Sequence, residues 1–220
     1  MTQVQSSYPA YAKSELIADA IVHLLGITFA LAGSIYLLGW ATAELGSGQI
    51  TALSVYCTTI VLAFGASAFY HMTPWENFRP LLRRFDHAAI YFKIAGTYTP
   101  LVVMIGSLSS YIVLGLVWTL ATVGSLFKLF DREFHSRKSG TFLYLALGWM
   151  CVLIIYPLGF VVPENSIWLI ISGGLIYTAG VVFYKWESLM YSNAIWHGFV
   201  FVASCCFFAA ITLGAFYEIA

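Results

Sequence analysis

Charge is what this sequence has least of. Only 9% of its 220 residues are Asp, Glu, Lys or Arg, against roughly 25% in an average soluble domain. Ten basic residues balance ten acidic ones, so the chain lacks the cationic excess with which proteins hold nucleic acids. Scarce charge combined with high hydrophobicity also excludes disorder. Cysteine is sparse, and Cys57, Cys151, Cys205 and Cys206 show neither metal-knuckle nor redox spacing. Adjacent Cys205 and Cys206 point to different faces of a helix, so all four read as small apolar fillers. No basic segment with a short apolar core and a cleavage site opens the chain, so the first apolar stretch is expected to be its own insertion signal. The internal repeat that marks many transporters is missing, as are the short alternating segments of a membrane β-barrel.

What the chain does contain is apolar length: 60% of its residues are hydrophobic. A soluble globule of this size could not cover so much apolar surface. Seven continuous stretches can each cross about 30 Å of hydrocarbon as helix. They run near Leu16–Ala43, Ile50–His71, Asp86–Ile105, Ser110–Leu129, Gly140–Val161, Ser166–Lys185 and Asn193–Ala215. The predicted fold class is an all-α integral membrane protein, a seven-transmembrane helix bundle. A short segment over residues 1–15 precedes a single membrane domain over 16–220.

Orientation follows from the basic residues, which favour the cytoplasmic side. Lys13, Arg79, Arg83, Arg84, Lys128, Arg132, Arg137, Lys138 and Lys185 all fall on one side of the seven spans. This predicts a cytoplasmic N-terminus, a C-terminus outside, and a multi-pass protein of the bacterial plasma (inner) membrane. The remaining basic residue, Lys93, lies inside the third span.

Ionisable groups within a membrane helix are costly and mark function. Of five histidines only His135 is in an obvious loop, within the charged run Asp131–Lys138. His23, His71, His87 and His197, with Asp86, fall at roughly one depth near the cytoplasmic face, on four different helices. Taken singly, each histidine reads as an interfacial residue reaching back to water, and Asp86 as a helix N-cap. Taken together, imidazole and carboxylate in an apolar cage suit Zn²⁺. Ser67 lies one turn from His71 on the same face, where its hydroxyl can serve a bound water or substrate oxygen, or simply allow close helix approach. Lys93 lies roughly 10 Å deeper than Asp86 at 1.5 Å per residue. It reads as a partner for Asp86, a headgroup or an oxyanion, or as a lysine that snorkels to the interface.

Three segments carry a family resemblance. Ser67-Ala-Phe-Tyr-His71, then Phe85-Asp86-His87 followed by Ile94-Ala95-Gly96-Thr97-Tyr98-Thr99-Pro100, and Ala194-Ile195-Trp196-His197-Gly198-Phe199 resemble the hemolysin III family, the bacterial branch of the progestin and adipoQ receptors. The stretch from Glu15 to Gly26, with His23, is similar to its first-helix motif. The resemblance implies seven helices with the N-terminus inside and a zinc site near the cytoplasmic face. It implies His71 and His197 as zinc ligands and Asp86 as the aspartate that holds a water. A further ligand is expected one turn before His197, where this chain has Asn193, a poor zinc ligand. Either Asp86 then binds the metal directly, making the ligands His71, His197 and Asp86, or the site is partly filled. Phe207 and Lys93 are further departures, the first replacing a histidine and the second an apolar residue.

Three functions follow as expectations. The first is a regulatory or receptor-like role in membrane homeostasis, built around zinc. The alternative is a zinc-dependent intramembrane lipid amide hydrolase, since the Ser, His, Asp, His pattern is similar to that of alkaline ceramidases. There Asp86 is the general base and Ser67 helps to hold the oxyanion. A pore-forming hemolysin ranks below both, because the outer halves of the helices are apolar. The expected partner is membrane lipid, with a lipid amide as substrate in the hydrolytic case.

Overall fold

The computed structural model of the chain describes residues 11–130, 137–186 and 188–217, with 137–140 as backbone alone. His135, Arg132 and most of the N-terminal segment lie outside these residues. Eight helices are present among them: α1 (Lys13–Glu44), α2 (Ser47–Met72), α3 (Arg79–Ile105), α4 (Leu108–Phe130), α5 (Arg137–Trp149), α6 (Val152–Leu158), α7 (Glu164–Lys185) and α8 (Ser192–Tyr217). Seven spans are long and apolar enough to cross a membrane, the fifth being Thr141–Leu158, which joins α5 to α6. Large apolar side chains such as Ile35, Leu108, Phe130 and Phe160 are exposed, as expected where the surrounding solvent is lipid rather than water.

α1 shows how sequence becomes position. Its 32 residues span about 48 Å at 1.5 Å per residue, more than the hydrocarbon thickness. Its buried residues, Asp19, His23, Gly26, Ala30, Ser34, Leu37 and Ala41, recur at intervals of three and four, which is one face of a helix. Asp19 and His23 therefore belong to the stripe that packs into the bundle, against α2 and α8. Small residues on this stripe permit close approach. At Gly26 an added Cβ would lie 2.5 Å from the Phe64 ring.

α3 occupies the centre, touching α2, α4, α5, α6 and α8. It begins seven residues before the predicted Asp86, because Pro80 stands in its first turn, where the missing N–H would be unbonded in any case. Arg79 ties this start to the end of α2. Its guanidinium donates to the main-chain carbonyls of Tyr70 (3.2 Å) and Thr73 (2.7 Å) and pairs with Glu76 at 2.9 Å. The ends that carry His71 and Asp86 are thus held together by one buried side chain. α3 closes at Gly106, whose positive φ of 67° is the left-handed cap that glycine favours.

The Gly-Thr-Tyr-Thr-Pro run at Gly96–Pro100 has a structural role. Gly96 lets α2 and α3 meet so closely that a Cβ there would fall 1.9 Å from Thr59 Oγ1. The Tyr98 hydroxyl reaches the carbonyls of Leu147 (3.0 Å) and Gly148 (2.8 Å), just before the turn at Met150–Cys151 that separates α5 from α6. Backbone carbonyls exposed by such a break must find partners inside a membrane, and Tyr98 supplies one. The continuous fifth helix expected over Gly140–Val161 is therefore two helices.

Candidate metal centre

Three imidazoles converge where α1, α2 and α8 meet. One ring nitrogen from each of His23, His71 and His197 lies within 4.8 Å of the others. The ring centroids stand 5.0 Å apart for His23 and His71, 4.3 Å for His23 and His197, and 4.6 Å for His71 and His197. His23 is almost fully buried, at 2% exposure, and the T-shaped contact of Tyr70 on His71 (4.5 Å) helps to fix that ring.

One residue touches all three rings. His23 Nδ1 is 2.8 Å from the main-chain carbonyl of Asp19, which can only accept, so Nδ1 donates and Nε2 carries the lone pair. His197 Nδ1 donates to Asp19 Oδ1 at 3.0 Å. His71 Nδ1 is 3.5 Å from Asp19 Oδ2 and accepts from the side-chain amide of Asn193 at 3.1 Å. His23 and His197 thereby present Nε2 as the ligand atom. Engagement of the other nitrogen by a carboxylate or carbonyl is the arrangement that orients metal-binding histidines.

Ser67 sits among these nitrogens. Its Oγ is 3.2 Å from His23 Nε2 and 3.5 Å from His197 Nε2, so the hydroxyl occupies the space the three rings face. The donor set fits zinc: three neutral nitrogens, an organising carboxylate, and a hydroxyl beside the remaining position.

Of the predicted residues, His71, His197 and Ser67 are therefore brought together. Asp86 is buried and lines the same cavity, beside the three-histidine group rather than inside it. Its Oδ2 is 3.6 Å from His87 Nδ1, and that nitrogen donates to the Arg83 carbonyl at 2.8 Å; His87 lines the cavity but is not one of the three converging imidazoles. Two residues of the group carry no assigned role in the sequence: His23 is marked there by its depth and by the first-helix motif, and Asp19 by neither. The signal was there, since Asp19 and His23 are four apart in an otherwise apolar span and share a face. Asn193, where a ligand was expected, is a second neighbour of the His71 ring, and the third imidazole comes from α1.

The centre forms part of the wall of a cavity of about 470 Å³, within the range of small-molecule sites. Its lining follows α3 from Arg83 through Asp86, Ile90 and Ile94 to Leu101, about 27 Å at 1.5 Å per residue.

These features agree with comparison to known proteins. Residues 12–208 match the family described as haemolysin-III related. The chain belongs to the haemolysin-III-related family. A relative named Hemolysin-3, from Bacillus cereus, is 33% identical over 96% of each chain. A Hemolysin-3 homolog from Bacillus subtilis is 31% identical, over 90% of this chain and 92% of its own. The human Monocyte to macrophage differentiation factor is 28% identical, over 71% of this chain and 67% of its own. The haemolysin-III match spans all three histidines of the centre together with Asp19, Ser67 and Asp86.

Proposed function

We propose that this haemolysin-III-related protein holds a zinc ion through His23, His71 and His197 and uses the adjoining cavity to act on a membrane lipid, by hydrolysis of an amide or ester. One observation carries the reading: three converging imidazoles form part of the wall of a mostly apolar cavity of about 470 Å³. Structural zinc sites are closed by four protein ligands, whereas hydrolytic sites keep three and leave a position for water or substrate. A zinc ion held there supplies Lewis acidity toward a carbonyl oxygen and acidifies a water. The chain's own residues do the rest. Asp19 keeps His23 and His197 in the tautomer that offers Nε2. Ser67 donates a hydrogen bond to the developing oxyanion. Asp86, with three imidazoles as ligands, is left to accept the proton from water at its carboxylate.

The test uses the purified full chain in detergent or lipid discs. Metal analysis is expected to find about one zinc per chain, and a fluorescent lipid amide to be cleaved, with loss on chelation and recovery on adding zinc. Stoichiometric zinc without hydrolysis of any lipid amide or ester overturns the hydrolytic reading.

A second reading rests on the joining of α1, α2 and α8 at the centre. In a regulatory, receptor-like protein of membrane homeostasis, the zinc would set how these helices pack. His71→Ala should then lower the thermal midpoint in detergent, and an unchanged midpoint counts against this reading. The basic end of the bundle is inferred to be cytoplasmic, in the bacterial inner membrane.

A further inference from the structure

The cavity has a second polar centre besides the histidines. Lys93 lies two turns beyond Asp86 on α3 and is only 9% exposed. Its ammonium does not reach back toward the interface. It donates to Tyr177 Oη on α7 and to Ser204 Oγ on α8, both at 2.7 Å, and lies over the Phe64 ring, 4.6 Å from its centroid. The Tyr177 and Ser204 oxygens are 3.0 Å apart, and Ser204 donates in turn to the Val200 carbonyl. Both hydroxyls therefore offer lone pairs to Lys93, and an aromatic face offers it negative potential.

No carboxylate among the described residues pairs with that charge, and an ammonium has three protons of which two are committed. Lys93, Tyr177 and Ser204 all line the cavity. A buried cation without an anion is costly, and a negatively charged acceptor in the cavity would offset that cost. The wall around it is mostly apolar, with Ile60, Ile94, Leu101, Ile170 and Phe207 beside Thr97 and Thr178, which suits an acceptor carried on a hydrocarbon tail.

We propose that Lys93, with Tyr177 and Ser204, is an anion subsite deep in the bundle that takes the carboxylate of a single-chain fatty acid, whose tail fills the apolar part of the cavity. The subsite is separate from the histidine centre and does not depend on a metal there or on turnover.

The experiment measures binding of palmitate to the full chain, stripped of metal by chelation, in discs of neutral phosphatidylcholine. Hexadecanol and hexadecylamine serve as uncharged and cationic ligands of equal tail length, and acetate as an anion without a tail. The wild type is expected to bind palmitate at least tenfold more tightly than hexadecanol or hexadecylamine, with no competition from acetate. Lys93→Gln should abolish the preference for the anion while still binding hexadecanol, and Lys93→Arg should retain part of it. Equal binding of palmitate and hexadecanol by the wild type overturns the proposal without any variant. It is equally overturned if acetate competes as well as palmitate, or if the preference appears only with zinc present and survives in Lys93→Gln, which would put the carboxylate at the histidines.

Discussion

The carboxylate of Asp19 accepts the Nδ1 proton of His197 at 3.0 Å, joining α1 to α8 across 178 positions of sequence. The same residue's main-chain carbonyl accepts from His23 at 2.8 Å, and its second carboxylate oxygen lies 3.5 Å from His71. A single residue thus addresses all three rings. Asp19→Asn keeps the size but removes the charge that favours the Nδ1–H tautomers. Zinc affinity, measured by competition with a chromophoric chelator, should fall about 10–100-fold, the usual cost of losing an orienting partner.

His23 and Asn193 make opposite predictions. His23→Ala removes one of three nitrogens and should reduce zinc content as severely as His71→Ala or His197→Ala. Asn193→Ala leaves the three nitrogens in place and should retain most of the metal. Metal analysis of the purified variants decides, and the reverse order would mean that the third ligand does not come from α1.

Asp86 lies beside the imidazole group, so its removal should separate chemistry from binding. In Asp86→Asn, zinc content is expected to stay near that of the wild type while lipid amide turnover falls about 10²–10⁴-fold, the usual contribution of a general base. Loss of zinc in parallel would instead make Asp86 a ligand. Ser67→Ala should likewise keep its metal and lose turnover.

Packing at the α2–α3 crossing is open to a stability test. A Cβ at Gly96 would fall 1.9 Å from Thr59 Oγ1, so Gly96→Val must push the two helices apart. The expected cost is about 1–3 kcal/mol, read as a lower thermal midpoint in detergent. Adding Thr59→Ala, which removes Oγ1 and Cγ2, should recover part of it.

Orientation is checked by reporter fusions. Alkaline phosphatase joined to the C-terminus should be active and green fluorescent protein dark, with the opposite at the α2–α3 connection, because the preference of basic residues for the cytoplasmic side predicts that Arg79, Arg83 and Arg84 lie inside. Active phosphatase at the α2–α3 connection would invert the bundle.

What the sequence determined on its own was whatever depends on solvent and on local spacing. Sparse charge and long apolar runs require a bilayer, and the number of spans follows from run length, since a helix is the conformation that satisfies its own backbone there. Ser67 and His71 share a face through a spacing of four, and the family motifs are contiguous in the chain. Tertiary structure decided what depends on which faces meet. Asp19 and His23 had to turn toward α2 and α8 before they could complete the centre, and helix rotation in a membrane is set by packing among small residues, which a run of apolar letters does not encode. Lys93 shows the same limit. Its sequence position suits either a lysine that snorkels to the interface or one that partners Asp86, a headgroup or an oxyanion, and its observed partners are Tyr177 and Ser204, two hydroxyls 84 and 111 positions away.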